Sequence, residues 1–258
     1  MTEQTTRRAI LKLAGGGLAL VVGAGAGWRP IVAANDATPA ASPVAADSLL
    51  GQQVVIRLRT LKAETDAADV LAQIQEGFVP LVETIPGAVW YVVAANPDTH
   101  DLFSIGVYAD AAGAEASGTA AQEWVAAHIP DVYEGDATSF TGEIGVATAA
   151  PAGDLHGKHI VVRLRQANPE WPVADVMHTI NEGYVPLVEQ LDGFVAYFGG
   201  ADPASGEQAY VTVFDDAAGT AESTKVAGDW LKAHDYTFFT GDPVVTEGEI
   251  GAALATPA

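Results

Sequence analysis

The chain has no cysteine and only two methionines. Without thiols there are no disulfides, iron–sulfur clusters, thiolate zinc sites or cysteine nucleophiles. Positive charge is also scarce. Twelve Lys and Arg stand against 33 Asp and Glu, a formal net charge of −21. No basic run offsets this excess, so the surface repels nucleic acid and anionic lipid. A long membrane-spanning run is missing too. The apolar stretch from Leu13 to Gly27 is too short and too rich in glycine to cross a bilayer.

What is present begins with an address. Thr6-Arg7-Arg8-Ala9-Ile10-Leu11-Lys12 has the twin-arginine form, and Val32-Ala33-Ala34 offers small residues to a peptidase. Residues 1–34 are therefore predicted to be a twin-arginine signal peptide cleaved after Ala34, with an uncleaved anchor as the alternative. The rest is expected to be extracytoplasmic: periplasmic, cell-wall or secreted, and free of the membrane. Cleavage removes Arg7, Arg8, Lys12 and Arg29 but only Glu3 among the acids, so the mature chain is more acidic still. Such acidity reads as solubility outside the cell. Residues 35–50 are rich in Ala, Pro, Ser and Asp and read as a flexible linker.

Residues 51–145 and 157–251 are one sequence written twice, aligned without a gap. Arg57-Leu58-Arg59 meets Arg163-Leu164-Arg165. Glu76-Gly77-Phe78-Val79-Pro80-Leu81-Val82-Glu83 meets Glu182-Gly183-Tyr184-Val185-Pro186-Leu187-Val188-Glu189. Gly142-Glu143-Ile144-Gly145 meets Gly248-Glu249-Ile250-Gly251. A period this long is a duplicated domain. The expected layout is a first repeat over 51–147, a linker over 148–156, a second repeat over 157–252 and a tail over 253–258.

Within one copy, Gln53–Arg59 alternates as a strand, with Val54, Ile56 and Leu58 on one side and Arg57 and Arg59 on the other. An apolar stripe from Val70 to Ile85 predicts a helix kinked at Pro80, with Gly77 loosening the turn. Val89–Ala95 and Leu102–Tyr108 read as strands. Asp110 and Asp216 read as N-caps of a second helix, whose small-residue stripe ends in Trp124/His128 or Trp230/His234. A last strand ends at Gly-Glu-Ile-Gly. The order βαββαβ is a ferredoxin-like unit in the α+β class. Two such units in one chain are expected to pack sheet to sheet, as a fused, pseudo-dimeric α/β barrel with helices outside.

These features resemble the dimeric α/β-barrel superfamily, within it the antibiotic-biosynthesis-monooxygenase-like domains. The resemblance rests on the Arg-Leu-Arg strand, the Glu-Gly-Phe/Tyr-Val-Pro-Leu-Val-Glu helix, Gly87 and Gly193 before an aromatic strand, and the Trp-x-x-x-His helix. It covers residues 52–145 and 158–251. It implies a fused homodimer and a small-molecule site. Some relatives are cofactor-free oxygenases and others degrade haem, using an asparagine on the first strand with a tryptophan and, in the haem enzymes, a histidine. Gln53–Arg59 and His159–Arg165 contain no asparagine, and arginine stands at the polar positions. No relative's site carries over whole.

The candidate groups each have two readings. Trp124 with His128, and Trp230 with His234, share a helix face. The indoles could stack on a flat ligand, and the imidazoles could move a proton or hold haem iron. Equally, the indoles could fill core, with the histidines favoured as cations at a helix C-terminus. Arg57, Arg59, Arg163 and Arg165 could hold an anionic or phenolic ligand, or could pair with Glu143 and Glu249 to fix the halves. Tyr91 and Tyr197 could line a pocket or simply pack. His156 and His159 lack a third metal ligand, and His178 aligns with Ala72; no metal site is expected. The leading expectation is a tandem barrel binding a small, partly aromatic molecule between sheet and helices. Cofactor-independent monooxygenation is the chemistry the resemblance adds. A non-catalytic binding or structural module, and haem binding through His128 or His234, are the alternatives. No cofactor other than haem is implied, and a monomer with internal pseudo-two-fold symmetry is expected.

Overall fold

The computed structural model describes residues 49–148, 150–151 and 153–254. The expected signal peptide, the linker up to residue 48 and residues 255–258 lie outside them. Within them each copy has the order βαββαβ. The strands are β1 (Gln53–Leu61), β2 (Ala88–Asn96), β3 (Asp101–Tyr108) and β4 (Tyr133–Ala147), then β5 (His159–Ala167), β6 (Phe194–Ala201), β7 (Glu207–Phe214) and β8 (Phe239–Ala253). All pairings are antiparallel, and the order β1-β3-β2-β8-β5-β7-β6-β4 returns to β1 as a closed barrel.

The two four-stranded sheets were expected to cover each other face to face. Instead they join edge to edge. β2 pairs with β8, Ala95 opposite Glu249, and β4 pairs with β6, Glu143 opposite Ala201. The Gly-Glu-Ile-Gly motif makes this seam possible. A Cβ on Gly248 would stand 2.4 Å from the carbonyl oxygen of Ala95, and one on Gly142 would stand 2.6 Å from that of Ala201. Only glycine lets the edges approach this closely.

The strand alternation sorts side chains as expected. Val54 and Ile56 point into the barrel with Phe103, Ile105, Phe140, Ile160, Val162 and Phe198. Eight strands leave an interior that side chains can fill, and they fill it here. Trp90 meets Phe198 edge to face at 5.4 Å. Leu49 and Leu155, assigned to linkers on composition, are each 1% exposed and belong to this interior. They are equivalent residues. In both copies the amide N–H of the following glycine, Gly51 or Gly157, donates to the carbonyl of Ile144 or Ile250. The repeat thus begins earlier than the residue matches indicate.

The helices lie on the outer face. In the first copy α1 (Ala67–Gln73), a π-helical turn (Ile74–Phe78) and α2 (Val79–Glu83) replace one straight helix. In the second, α4 (Val173–Gly183) breaks at Tyr184 before α5 (Val185–Val188). Pro80 and Pro186 supply no N–H to the preceding turn, and the wider turn absorbs the loss. α3 (Ala111–His128) and α6 (Ala217–Ala233) are N-capped by Asp110 and Asp216, whose carboxylates accept from the amides of Gly113 and Gly219 at 2.9 and 3.0 Å. Among the described residues no helix is long and apolar enough to cross a membrane.

Candidate functional site

The outer sheet face and the helices enclose two equivalent cavities, one per copy, each about 40 Å³. The first is lined by Ile74, Phe78, Tyr91, Ser104, Trp124 and Tyr133 among others. The second is lined by Arg163, Arg165, Ile180, Tyr184, Tyr197, Tyr210, Trp230, Leu231 and Phe239 among others. Both indoles are buried, Trp124 at 6% exposure and Trp230 at 7%. Each packs on the broken helix beneath it, with ring centroids 5.6 Å from Phe78 and 5.7 Å from Tyr184.

The polar groups of the two cavities differ. Arg163 is 5% exposed. Its Nη1 donates to Thr212 Oγ1 at 3.4 Å, and its Nη2 donates to Ser223 Oγ at 3.1 Å and Thr224 Oγ1 at 2.5 Å. In the first copy the residues equivalent to Thr212 and Thr224 are Gly106 and Gly118. There Tyr108 lies over Gly106 and its hydroxyl meets Ser117 Oγ at 2.5 Å, while Arg57 rests half-buried against Gly118. Two further replacements act in the same direction, Phe78 for Tyr184 and Ser104 for Tyr210. The second cavity therefore holds a buried guanidinium and three phenols; in the first, Arg57 does not line the cavity.

Burial sets the protonation of these groups. It raises the pKa of Tyr197 well above the phenol value, and the nearby Tyr210 and Tyr184 raise it further. Burial also raises Tyr91, Tyr184 and Tyr210, and pushes Tyr133 up to about 12. All are neutral hydrogen-bond donors near neutral pH. Burial lowers the pKa of Arg163, and lowers that of Arg165 with the added repulsion of Arg163, without removing either charge.

The arginines were expected to pair with Glu143 and Glu249. They do not. Glu249 lies 3.8 Å from His159, and the ion pairs among the described residues involve only lysines and histidines. Arg59 instead lies over the ring of Tyr133 at 4.7 Å, and Arg165 over that of Phe239 at 4.9 Å. The reason is register: Glu143 stands opposite Gln53 and Glu249 opposite His159, whereas Arg57 and Arg163 stand opposite Ser139 and Val245.

Of the two readings of the histidines, the arrangement matches the one that places them at a helix C-terminus. His128 and His234 are exposed, and neither lines a cavity. Each Nδ1 lies 2.9 Å from a carbonyl oxygen one turn back, that of Trp124 or Trp230, and donates to it. The exposed His128 ring stacks on that of Trp124 at 4.9 Å. Haem ligation by either histidine inside a 40 Å³ cavity does not fit this arrangement. His156 Nδ1 bonds Asp154 at 2.8 Å, and no metal-ligating cluster occurs among the described residues. Two open clefts of about 880 and 420 Å³ also flank the seams, the larger bordered by Glu143, Met177 and His178.

Tyr184, Tyr210, Thr212, Ser223 and Thr224 were not anticipated. For all but Ser223, which matches Ser117, the signal lay in positions where the copies differ.

No family profile and no curated protein matches the chain. Solved structures do. A candidate monooxygenase of Fusobacterium nucleatum superposes with a TM-score of 0.62 at 14% identity, covering 79% of this chain and 94% of that one. A candidate monooxygenase of Lactobacillus acidophilus gives 0.59 at 10% identity, covering 81% and 98%. A heme-binding protein of Thermus thermophilus gives 0.52 at 10% identity, covering 78% and 91%. At this identity the likeness establishes a shared α+β barrel fold and nothing further.

Proposed function

We propose that this chain is an exported, monomeric tandem barrel that binds a small, partly aromatic molecule in the sheet–helix cavity of its second copy. The observation that carries the reading is the buried polar lining found there: Arg163 with Tyr184, Tyr197 and Tyr210, beside the indole of Trp230. Apolar walls with a few convergent polar groups are what a small-molecule site needs. The shared fold with candidate monooxygenases supports the same reading.

Monooxygenation is the chemistry the neighbours' names suggest for the bound molecule, and we propose that it proceeds without a cofactor. The chain's own contribution would be electrostatic. Among the described residues no carboxylate or imidazole lines the cavity to act as base, and the buried phenols hold their protons. Arg163 would favour an ionised ligand, so only molecules that ionise readily would react.

Titration of the full chain with single-ring phenols, followed by tryptophan emission, tests the binding. Quenching that is lost in Trp230→Phe but kept in Trp124→Phe is expected. Oxygen uptake with a quinol separates an oxygenase from a binding module. No response of emission to any phenol would overturn the proposal.

A further inference from the structure

A guanidinium at 5% exposure normally meets a carboxylate, because a buried charge without a counter-charge is costly. Arg163 meets three hydroxyls instead, which use three of its five N–H donors. Arg165, two residues on along the same face of β5, also lacks an ion pair and adds a second positive charge to the cavity wall. The lack is not one of supply, since the chain carries 33 acidic residues. Glu247 and Asp242, the carboxylates whose fields reach these arginines, are exposed and form no ion pair with them.

From this we infer that the second cavity takes the carboxylate group of an aromatic monocarboxylic acid. The inference rests on the proposed small-molecule site and names its ligand class. The size agrees: about 40 Å³ admits a group of a few heavy atoms, not a whole ring. Arg163 and the Tyr197 hydroxyl would hold the carboxylate, since the Tyr184 and Tyr210 hydroxyls already donate to the Ser223 carbonyl at 3.3 Å and to Gln208 Oε1, and charge-assisted bonds of this kind are the strong ones. The ring would then lie at the mouth, where Arg165, Leu231 and Phe239 are half-exposed. The first copy lacks this capacity, because Gly106 and Gly118 remove the hydroxyls that hold the guanidinium and Ser104 removes a phenol.

Calorimetric titration of the full chain with benzoate and with its neutral isostere benzamide tests the inference. Benzoate is expected to bind at least about tenfold more tightly than benzamide. Arg165→Gln, at a half-exposed position that the fold tolerates, should lower benzoate affinity and leave benzamide unchanged. Arg57→Gln should change neither. Equal binding of the two probes would overturn the carboxylate assignment while leaving the small-molecule site standing. A loss in Arg57→Gln matching that in Arg165→Gln would overturn the assignment to the second copy. Binding of neither probe, with no change in tryptophan emission, would overturn this inference and the site together.

Discussion

Gly183 lies directly beneath the indole of Trp230: a Cβ built on it would stand 2.9 Å from the ring carbon Cζ2. Gly77 and Trp124 repeat the relation at the same 2.9 Å. The glycine beside the helix break therefore seats an aromatic ring. Gly183→Ala should destabilise the protein by about 1–3 kcal/mol, since the ring is held in packed core and cannot retreat. Gly228, in the same layer on α6, has nothing within 4 Å of its would-be Cβ. Gly228→Ala should stabilise by up to about 1 kcal/mol. Urea unfolding of the two variants checks both signs.

Arg163 offers a separation of stability from binding. Ser223 and Thr224 hydroxyls also donate to the carbonyl of Thr220, at 2.8 and 3.0 Å, so removing the guanidinium does not strand them. Arg163→Met keeps similar volume and removes a buried charge that has no counter-charge. Such replacements are often neutral or stabilising. The variant should melt within a few degrees of the parent or above it, and should lose benzoate binding. A large drop in melting temperature would show that the arginine is there to support the fold.

Much of the frame was legible in the sequence because it obeys short-range rules. The Val54/Ile56 alternation, the Asp110 and Asp216 caps and the Pro80 interruption each depend on a few neighbouring residues. The edge-to-edge seam was not legible, because pairing between β2 and β8 is set by residues far apart in sequence. The glycines that permit it, Gly142 and Gly248, were visible but had no partner to explain them. The polar lining of the second cavity was not legible for a different reason. Identity between copies drew attention to His128 and His234, which are retained yet point outward. Tyr210 against Ser104, and Thr224 against Gly118, are differences, and they mark the copy whose cavity wall holds arginine. Leu49 and Leu155 escaped notice because the Ala-, Pro- and Gly-rich sequence around them reads as linker and hides a single buried residue.

The buried phenols predict how the fold fails in alkali. Burial raises the pKa of six tyrosines, with Tyr133 pushed up to about 12. A group whose folded pKa is raised favours the folded state fully below its unfolded value, about 10 for tyrosine. That support is lost as pH climbs from there toward the folded pKa, because the unfolded chain then releases protons that the folded chain retains. Stability should therefore be insensitive to these groups up to about pH 9 and decline steeply beyond about pH 10. Phenolate absorbance should rise together with the loss of secondary structure. Phenolate appearing well before unfolding would show that the phenols are open to water.

The closed ring bears on assembly. The β2–β8 and β4–β6 pairings use up the edges that a second chain would need. With no free sheet edge among the eight strands, there is no row of unpaired backbone groups to recruit a second chain. Light scattering should give a mass at or below the 26.6 kDa of the full chain, the lower value if the leader is cleaved after Ala34. Intact-mass analysis of exported protein should then place the N-terminus at Asn35. Opening one seam should change the outcome. Gly248→Val drives a branched side chain into the Ala95 carbonyl, frees the edges of β2 and β8, and should turn the monomer into dimers or aggregates. A Gly248→Val protein that stays monomeric with an unchanged melting temperature would mean that the seam is not what holds the two copies together.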